Sequence, residues 1–153
     1  DRGGMLLLVG LGGYAANCSH AVSDFRRLCG IEAYTPVDNS ALLTARANDE
    51  GWHSIFIENW QPDDAIFVLS VGGGTDEVST PITQAVYQAQ IKGRRILGIV
   101  GRDGGDTKRF GDNVVVIPTV TKERVTPHTE AFQMVLLHLL VSHPDLQVRP
   151  TSW

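Results

Sequence analysis

The sequence predicts an α/β protein: a three-layer αβα sandwich on a five-stranded parallel sheet, of the flavodoxin-like kind. Three observations carry this. Five short runs are apolar throughout rather than alternating, the pattern of strands covered on both faces. Stretches with helical spacing or helix-boundary signals lie between them. Two glycine-rich turns follow strands directly, after Val9 and after Leu69. In open parallel sheets the ligand sits beyond the carboxyl ends of the strands, where both turns fall.

The first strand is expected over 5–9 and is ended by Gly10-Leu11-Gly12-Gly13. A helix follows from 14 to about 28, with Gly30 as its C-cap. A short strand over 31–35 is closed by Pro36. Asp38-Asn39-Ser40 signals a helix start, and the helix over 41–47 is broken by Asn48-Asp49-Glu50-Gly51. Residues 52–60 read as helical again, because Trp52, Phe56 and Trp60 lie four apart. The third strand, 65–69, runs into Ser70-Val71-Gly72-Gly73-Gly74-Thr75 and then a helix over 78–92. A fourth strand over 95–100, a loop over 101–105, a weak helical turn over 107–110 and a fifth strand over 113–117 come next. The last helix is expected over 130–141, and the polar tail from His143 is expected to be loosely held.

At 153 residues the chain reads as one domain with enough length to bury a core. The net charge of −4 argues against nucleic-acid binding, which calls for a basic face. Cys18 and Cys29 are neither a metal-spaced pair nor a disulfide framework, and read as reduced thiols of a cytosolic protein. No apolar run reaches the ~20 residues of a membrane span. The chain opens almost directly on a strand, which leaves room for a missing N-terminal segment.

The loop over 70–75 has the makings of a phosphate cradle. Glycines let backbone N–H groups approach an anion, the following helix start adds partial positive charge, and Ser70 and Thr75 bring hydroxyls. A ligand-free strand-to-helix turn is the plainer alternative. The first loop, Gly10-x-Gly12-x-x-Ala15, matches the dinucleotide fingerprint loosely, with Glu32 near the ribose-binding position. A second glycine loop is no part of that fingerprint. Arg102 lies in a loop at the ligand edge, where it can reach a phosphate or simply be solvated.

His20 and Asp24 are four apart, hence on one helix face. That suits two ligands of one metal, an imidazole oriented by a carboxylate, or a surface pair. His138 sits among Val135, Leu136, Leu137, Leu139 and Leu140. Glu130 precedes it by eight residues, roughly 12 Å along a helix. One rod can hardly aim both side chains at one atom, so a shared site would draw on a neighbouring subunit.

Four segments together resemble a sugar isomerase (SIS) domain, and within it the phosphoheptose isomerase family. They are residues 9–17 with His20, residues 43–49, residues 69–75, and residues 126–130 with His138. The resemblance covers nearly the whole chain except the tail. It implies sugar-phosphate binding by Leu11, Gly12 and Gly13 with Ser70, Val71, Gly72 and Thr75, and closure on the substrate by Asn48 and Asp49. It also implies a metal or acid–base set at His20, Asp24, Glu130 and His138, with zinc as the candidate metal. Family enzymes are tetramers with shared sites and an N-terminal helix. Departures are visible. Leu11 and Tyr14 stand where the family has Asn and Ser, Asp24 where it has Glu, and Glu130 where it has Gln. The family's Ser-Thr-Ser-Gly-Asn-Ser loop has lost side-chain hydroxyls, so its backbone donors are expected to do more.

The implied activity is aldose–ketose isomerisation of sedoheptulose 7-phosphate through an enediol(ate). His138 is the first choice for acid or base, and Asp24 or Glu130 for its partner. Zinc ligation and base duty compete for these side chains. The other reading is a non-catalytic SIS protein that binds a sugar phosphate or a protein partner. The depleted loop favours it, and the retained imidazoles and carboxylates oppose it.

Overall fold

The computed structural model describes residues 3–151. Its sheet has five parallel strands in the order β2-β1-β3-β4-β5. These are β1 (Leu6–Val9), β2 (Ala33–Tyr34), β3 (Ala65–Ser70), β4 (Arg95–Val100) and β5 (Asn113–Val116). The helices are α1 (Gly13–Cys29), α2 (Ser40–Asp49), α3 (Thr80–Ile91), α4 (Gly105–Phe110) and α5 (Val125–Val141).

The continuous apolar runs are explained by two cores. Successive strand residues point to opposite faces. Leu6 and Leu8 of β1 and Phe67 and Leu69 of β3 join Cys18, Phe25 and Leu137 beneath α1 and α5. Leu7, Val9, Ile66 and Val68 join Ile82, Val86, Ile55 and Phe56 on the other face, under α3. At the sheet edge β5 is different: Asn113 and Val115 are exposed, so it is covered less fully than its apolar run suggests. No helix among the described residues is long and apolar enough to cross a membrane.

Four local expectations are corrected. Residues 52–60 do not form a helix; a single 3-10 turn, Trp52–Ser54, leads into irregular chain. Phe56 and Trp60 are buried in the second core while Trp52 is half exposed, so the spacing of four reflects packing by a loop. Helix α5 begins at Val125, with Pro127 inside its first turn, where a missing N–H costs nothing. Helix α3 begins at Thr80, because Thr75 and Val78 close a turn on each other through Thr75 N–H to Val78 O, 2.9 Å, and Val78 N–H to Thr75 Oγ1, 3.0 Å. The tail is held: Val148 and Arg149 N–H groups donate to Leu28 O at 2.7 and 3.1 Å, capping α1.

The loops after β3 and β4 are stitched together at the carboxyl edge. Gly73 O accepts from Thr107 N–H at 3.0 Å and Thr107 Oγ1 at 2.6 Å, and Gly74 O accepts from Asp106 N–H at 2.9 Å. Gly73 has φ 70, and a Cβ there would run into the Gly104 carbonyl oxygen. Gly73→Ala is therefore expected to lose at least about 2 kcal/mol, from strain and from parting the loops. Urea unfolding measures it, and an unchanged midpoint would show that the stitching is dispensable.

Candidate functional site

Helices α1 and α5 lie side by side and run parallel, both starting at the carboxyl edge of the sheet. Their contacts climb in step. Tyr14 OH donates to Thr126 O at 3.1 Å, Asn17 Nδ2 donates to Glu130 O at 3.0 Å, and Cys29 Sγ reaches Val141 O at 3.7 Å. The buried Asn17 amide also donates to Gln133 Oε1 at 3.2 Å. Gln133, fully buried, donates from Nε2 to Ile99 O at 2.7 Å and to Ser70 O at 3.5 Å. This amide pair pins both helices to the ends of β3 and β4.

Further along the seam three side chains converge. His20 Nε2 lies 3.1 Å from Asp24 Oδ2 and 3.3 Å from His138 Nε2, and His138 Nε2 lies 3.8 Å from the same carboxylate oxygen. Asp24 is nearly buried and the imidazoles are about half exposed. Two nitrogens bound to one tetrahedral zinc at 2.0–2.1 Å would stand about 3.3 Å apart. The spacing thus fits a metal, and His20, Asp24 and His138 form a group able to hold one. Two His and a carboxylate leave a fourth position open, the arrangement of catalytic rather than structural sites.

Glu130, expected as a fourth member, is not in this group. Eight residues of helix separate it from His138, and its carboxylate occupies the space a side chain at position 13 would fill. Gly13 opens α1, so Glu130 stands at the first glycine turn. Tyr14 lies beside it. Burial, and next the negative charge of Glu130, push the Tyr14 hydroxyl up to about 12, with Arg102 pulling the other way.

The second glycine turn borders a cavity of about 420 Å³ lined by Val71, Gly72, Gly74, Thr75, Ser79 and Arg102. Its backbone donors are not as free as the sequence implies. Gly72 and Gly73 N–H groups donate to Ser70 Oγ at 3.3 and 3.1 Å, and Thr75 N–H is spent on Val78 O. Ser70 is buried, with its hydroxyl serving its own loop. In the first turn Gly12 is exposed with φ 63, while Leu11 packs on the second core. Asn48 and Asp49 end α2, exposed, with Asn48 Nδ2 donating to Asp49 Oδ1 at 2.8 Å; neither lines the cavity.

Sequence reasoning passed over Gln133 and the partnership of Asn17 with it. The available signal was a lone amide inside an apolar helix, where burial demands a partner. Gln133→Leu keeps the volume but removes the acceptor for one Asn17 amide hydrogen and the side-chain donor to the Ile99 and Ser70 carbonyls. It is expected to cost about 1–3 kcal/mol, read as a lowered melting temperature. For Tyr14, the raised folded value means that its contribution to stability is whole below pH 10 and fades as pH climbs from 10 to about 12. Ultraviolet titration should show a late-ionising tyrosine that Tyr14→Phe removes; ionisation of Tyr14 at pH 10 would contradict the burial argument.

No family model matches the chain. It is 30% identical over 147 residues to the phosphoheptose isomerase of Trichlorobacter lovleyi, covering 90% of this chain and 71% of that protein. It is also 30% identical to the lincomycin biosynthesis protein LmbN of Streptomyces lincolnensis, over 92% of this chain, but spans only about half of that protein (54%). Among solved structures, phosphoheptose isomerase GmhA from Neisseria gonorrhoeae superimposes with a TM-score of 0.73 at 23% identity, covering 90% of this chain and 74% of that one. The all-parallel sheet and the identity across most of the Trichlorobacter protein agree: this chain belongs to the phosphoheptose isomerase family of sugar isomerase domain proteins.

Proposed function

We propose that the protein is an aldose–ketose isomerase interconverting sedoheptulose 7-phosphate and D-glycero-D-manno-heptose 7-phosphate, in the cytoplasm, as a homotetramer with shared sites. The observation that carries this is the convergence of His20, Asp24 and His138 from two neighbouring helices, the first of which begins at the first glycine turn. The relatives named phosphoheptose isomerase support the substrate class.

His20, Asp24 and His138 would hold zinc. Zinc bound there would polarise the substrate carbonyl and offset the negative charge of the enediolate. Held this way, the His138 imidazole cannot also be the base, and the proton falls to a carboxylate. Glu130 makes no ion pair among the described residues and stands open at the first glycine turn. Its carboxylate takes the proton from the carbon alpha to the carbonyl, leaving the bonding pair as the enediolate C=C. It returns the proton to the neighbouring carbon, and the hydroxyl proton passes from the one oxygen to the other, so that hydroxyl and carbonyl exchange places. Leu11, Gly12 and Gly13 with Ser70, Val71, Gly72 and Thr75 shape the pocket for the phosphate end, and Asn48 and Asp49 close on the sugar.

Eight residues between Glu130 and His138 amount to about 12 Å of helix, too far for one reacting centre. One chain therefore supplies the cradle and Glu130, and a neighbour supplies the metal group. The exposed apolar side chains Phe132, Val135 and Leu139 on α5 support such pairing, since an uncovered apolar helix face favours association.

Incubation with sedoheptulose 7-phosphate, followed by NMR, tests the activity. His138→Ala should retain the fold by circular dichroism, lose bound zinc and lose at least about a hundredfold in turnover. Near-normal turnover would remove His138 from the site. Glu130→Gln should be as slow while keeping its metal. Co-assembly of the two inactive variants should restore part of the activity, because some sites then combine an intact Glu130 with an intact His138. If the metal-loaded native protein turns over no sugar phosphate, the non-catalytic reading takes its place.

A further inference from the structure

Two described non-glycine residues have positive φ: Ser79 at 60 and Arg102 at 50. Both line the cavity of about 420 Å³ at the second glycine turn. An L residue in this region is held against a steric cost, and such residues gather at ligand sites. They reach the same cavity from different elements, Ser79 at the start of α3 and Arg102 in the turn after β4.

The chemistry of the lining points the same way. A phosphate needs several donors, and the loop over 70–75 has spent most of its own. Gly72 and Gly73 serve Ser70 Oγ, and Thr75 serves Val78. Val71, Gly72 and Gly74 bring no side-chain hydroxyl. Arg102 is the cavity's one lining cation among the described residues, is exposed, and forms no ion pair within 4.0 Å. Asp103 shares the rim, but its Oδ1 accepts from Gly105 N–H at 3.2 Å and is engaged by its own turn. The Arg102 charge is also felt at Tyr14, opposing that of Glu130, so it reaches the first glycine turn as well.

We propose that Arg102 is the principal phosphate-binding group of this cradle, replacing donors the loop over 70–75 no longer offers, and that its left-handed backbone aims the guanidinium across the cavity. A guanidinium presents two parallel N–H groups to a phosphate dianion, which suits an otherwise donor-poor pocket. Ser79 adds a hydroxyl to the same lining. The substrate's phosphomonoester is thereby recognised mainly by charge. The inference rests on the sugar-phosphate reading of the site, but its test does not need turnover.

Arg102→Gly removes the side chain and relieves the backbone. It should melt no lower than the native protein, so loss of binding cannot be blamed on unfolding. Binding of inorganic phosphate, measured by calorimetry, should weaken about tenfold to a hundredfold in Arg102→Gly. Arg102→Lys should recover part of it, and native affinity should fall with added salt. Where sedoheptulose 7-phosphate is turned over, Arg102→Gly should lower kcat/KM by a similar factor. Native-like phosphate affinity in Arg102→Gly, or no phosphate binding by the native protein, overturns the proposal and leaves the isomerase reading standing. Arg102-dependent phosphate binding without any isomerisation upholds the proposal and counts against the isomerase.

Discussion

The buried amide pair Asn17–Gln133 is the constraint on which the rest of the molecule depends. Two polar side chains in a dry interior must satisfy one another and the carbonyls around them, and they do so in a single register. That register ties α1 to α5 and both to the ends of β3 and β4. A slip of either helix by one turn would leave amide donors and the Ile99 carbonyl unpaired at once. The meeting of His20 and Asp24 with His138 follows from it, three to seven residues further along the same helices.

The carboxyl edge trades stability for shape. Its two loops are interlocked through Gly73, Gly74, Asp106 and Thr107, with Gly73 free of any side chain because the Gly104 carbonyl occupies that space. Around this rigid floor, Ser79 and Arg102 are held in backbone conformations that ordinary residues avoid. Strain of this kind persists only where surrounding structure over-determines it. Here the surrounding structure is a parallel sheet whose central strands are buried on both faces.

The site is divided along its length. The cradle and Glu130 lie at the tops of the helices, and the imidazole–carboxylate group lies farther along on a half-exposed face. In the assembly proposed above, a neighbour covering the half-exposed imidazoles and the bare Phe132, Val135 and Leu139 would exclude water and strengthen each electrostatic contact.

The sequence alone determined the architecture. Runs such as 6–9 and 65–70 are apolar on both faces, and only a sheet covered on both sides can hide them. Glycine turns after two of those strands marked the carboxyl edge, and the spacing of His20 and Asp24 put them on one face. Local pattern misled where tertiary packing overrode it: residues 52–60 share helical spacing but fill the core as a loop, and Pro127 sits inside a helix it was read as preceding. Only the tertiary structure decided which groups meet. The separation between positions 20 and 138 says nothing of distance, and the helical rise that kept Glu130 from His138 could not say where Glu130 went instead. Nor can a sequence reveal that the Ser70 hydroxyl serves its own loop, or that Arg102 has a left-handed backbone at the cavity lining. Those outcomes are set by satisfying buried polar groups across elements remote in the chain, a condition that no local pattern encodes.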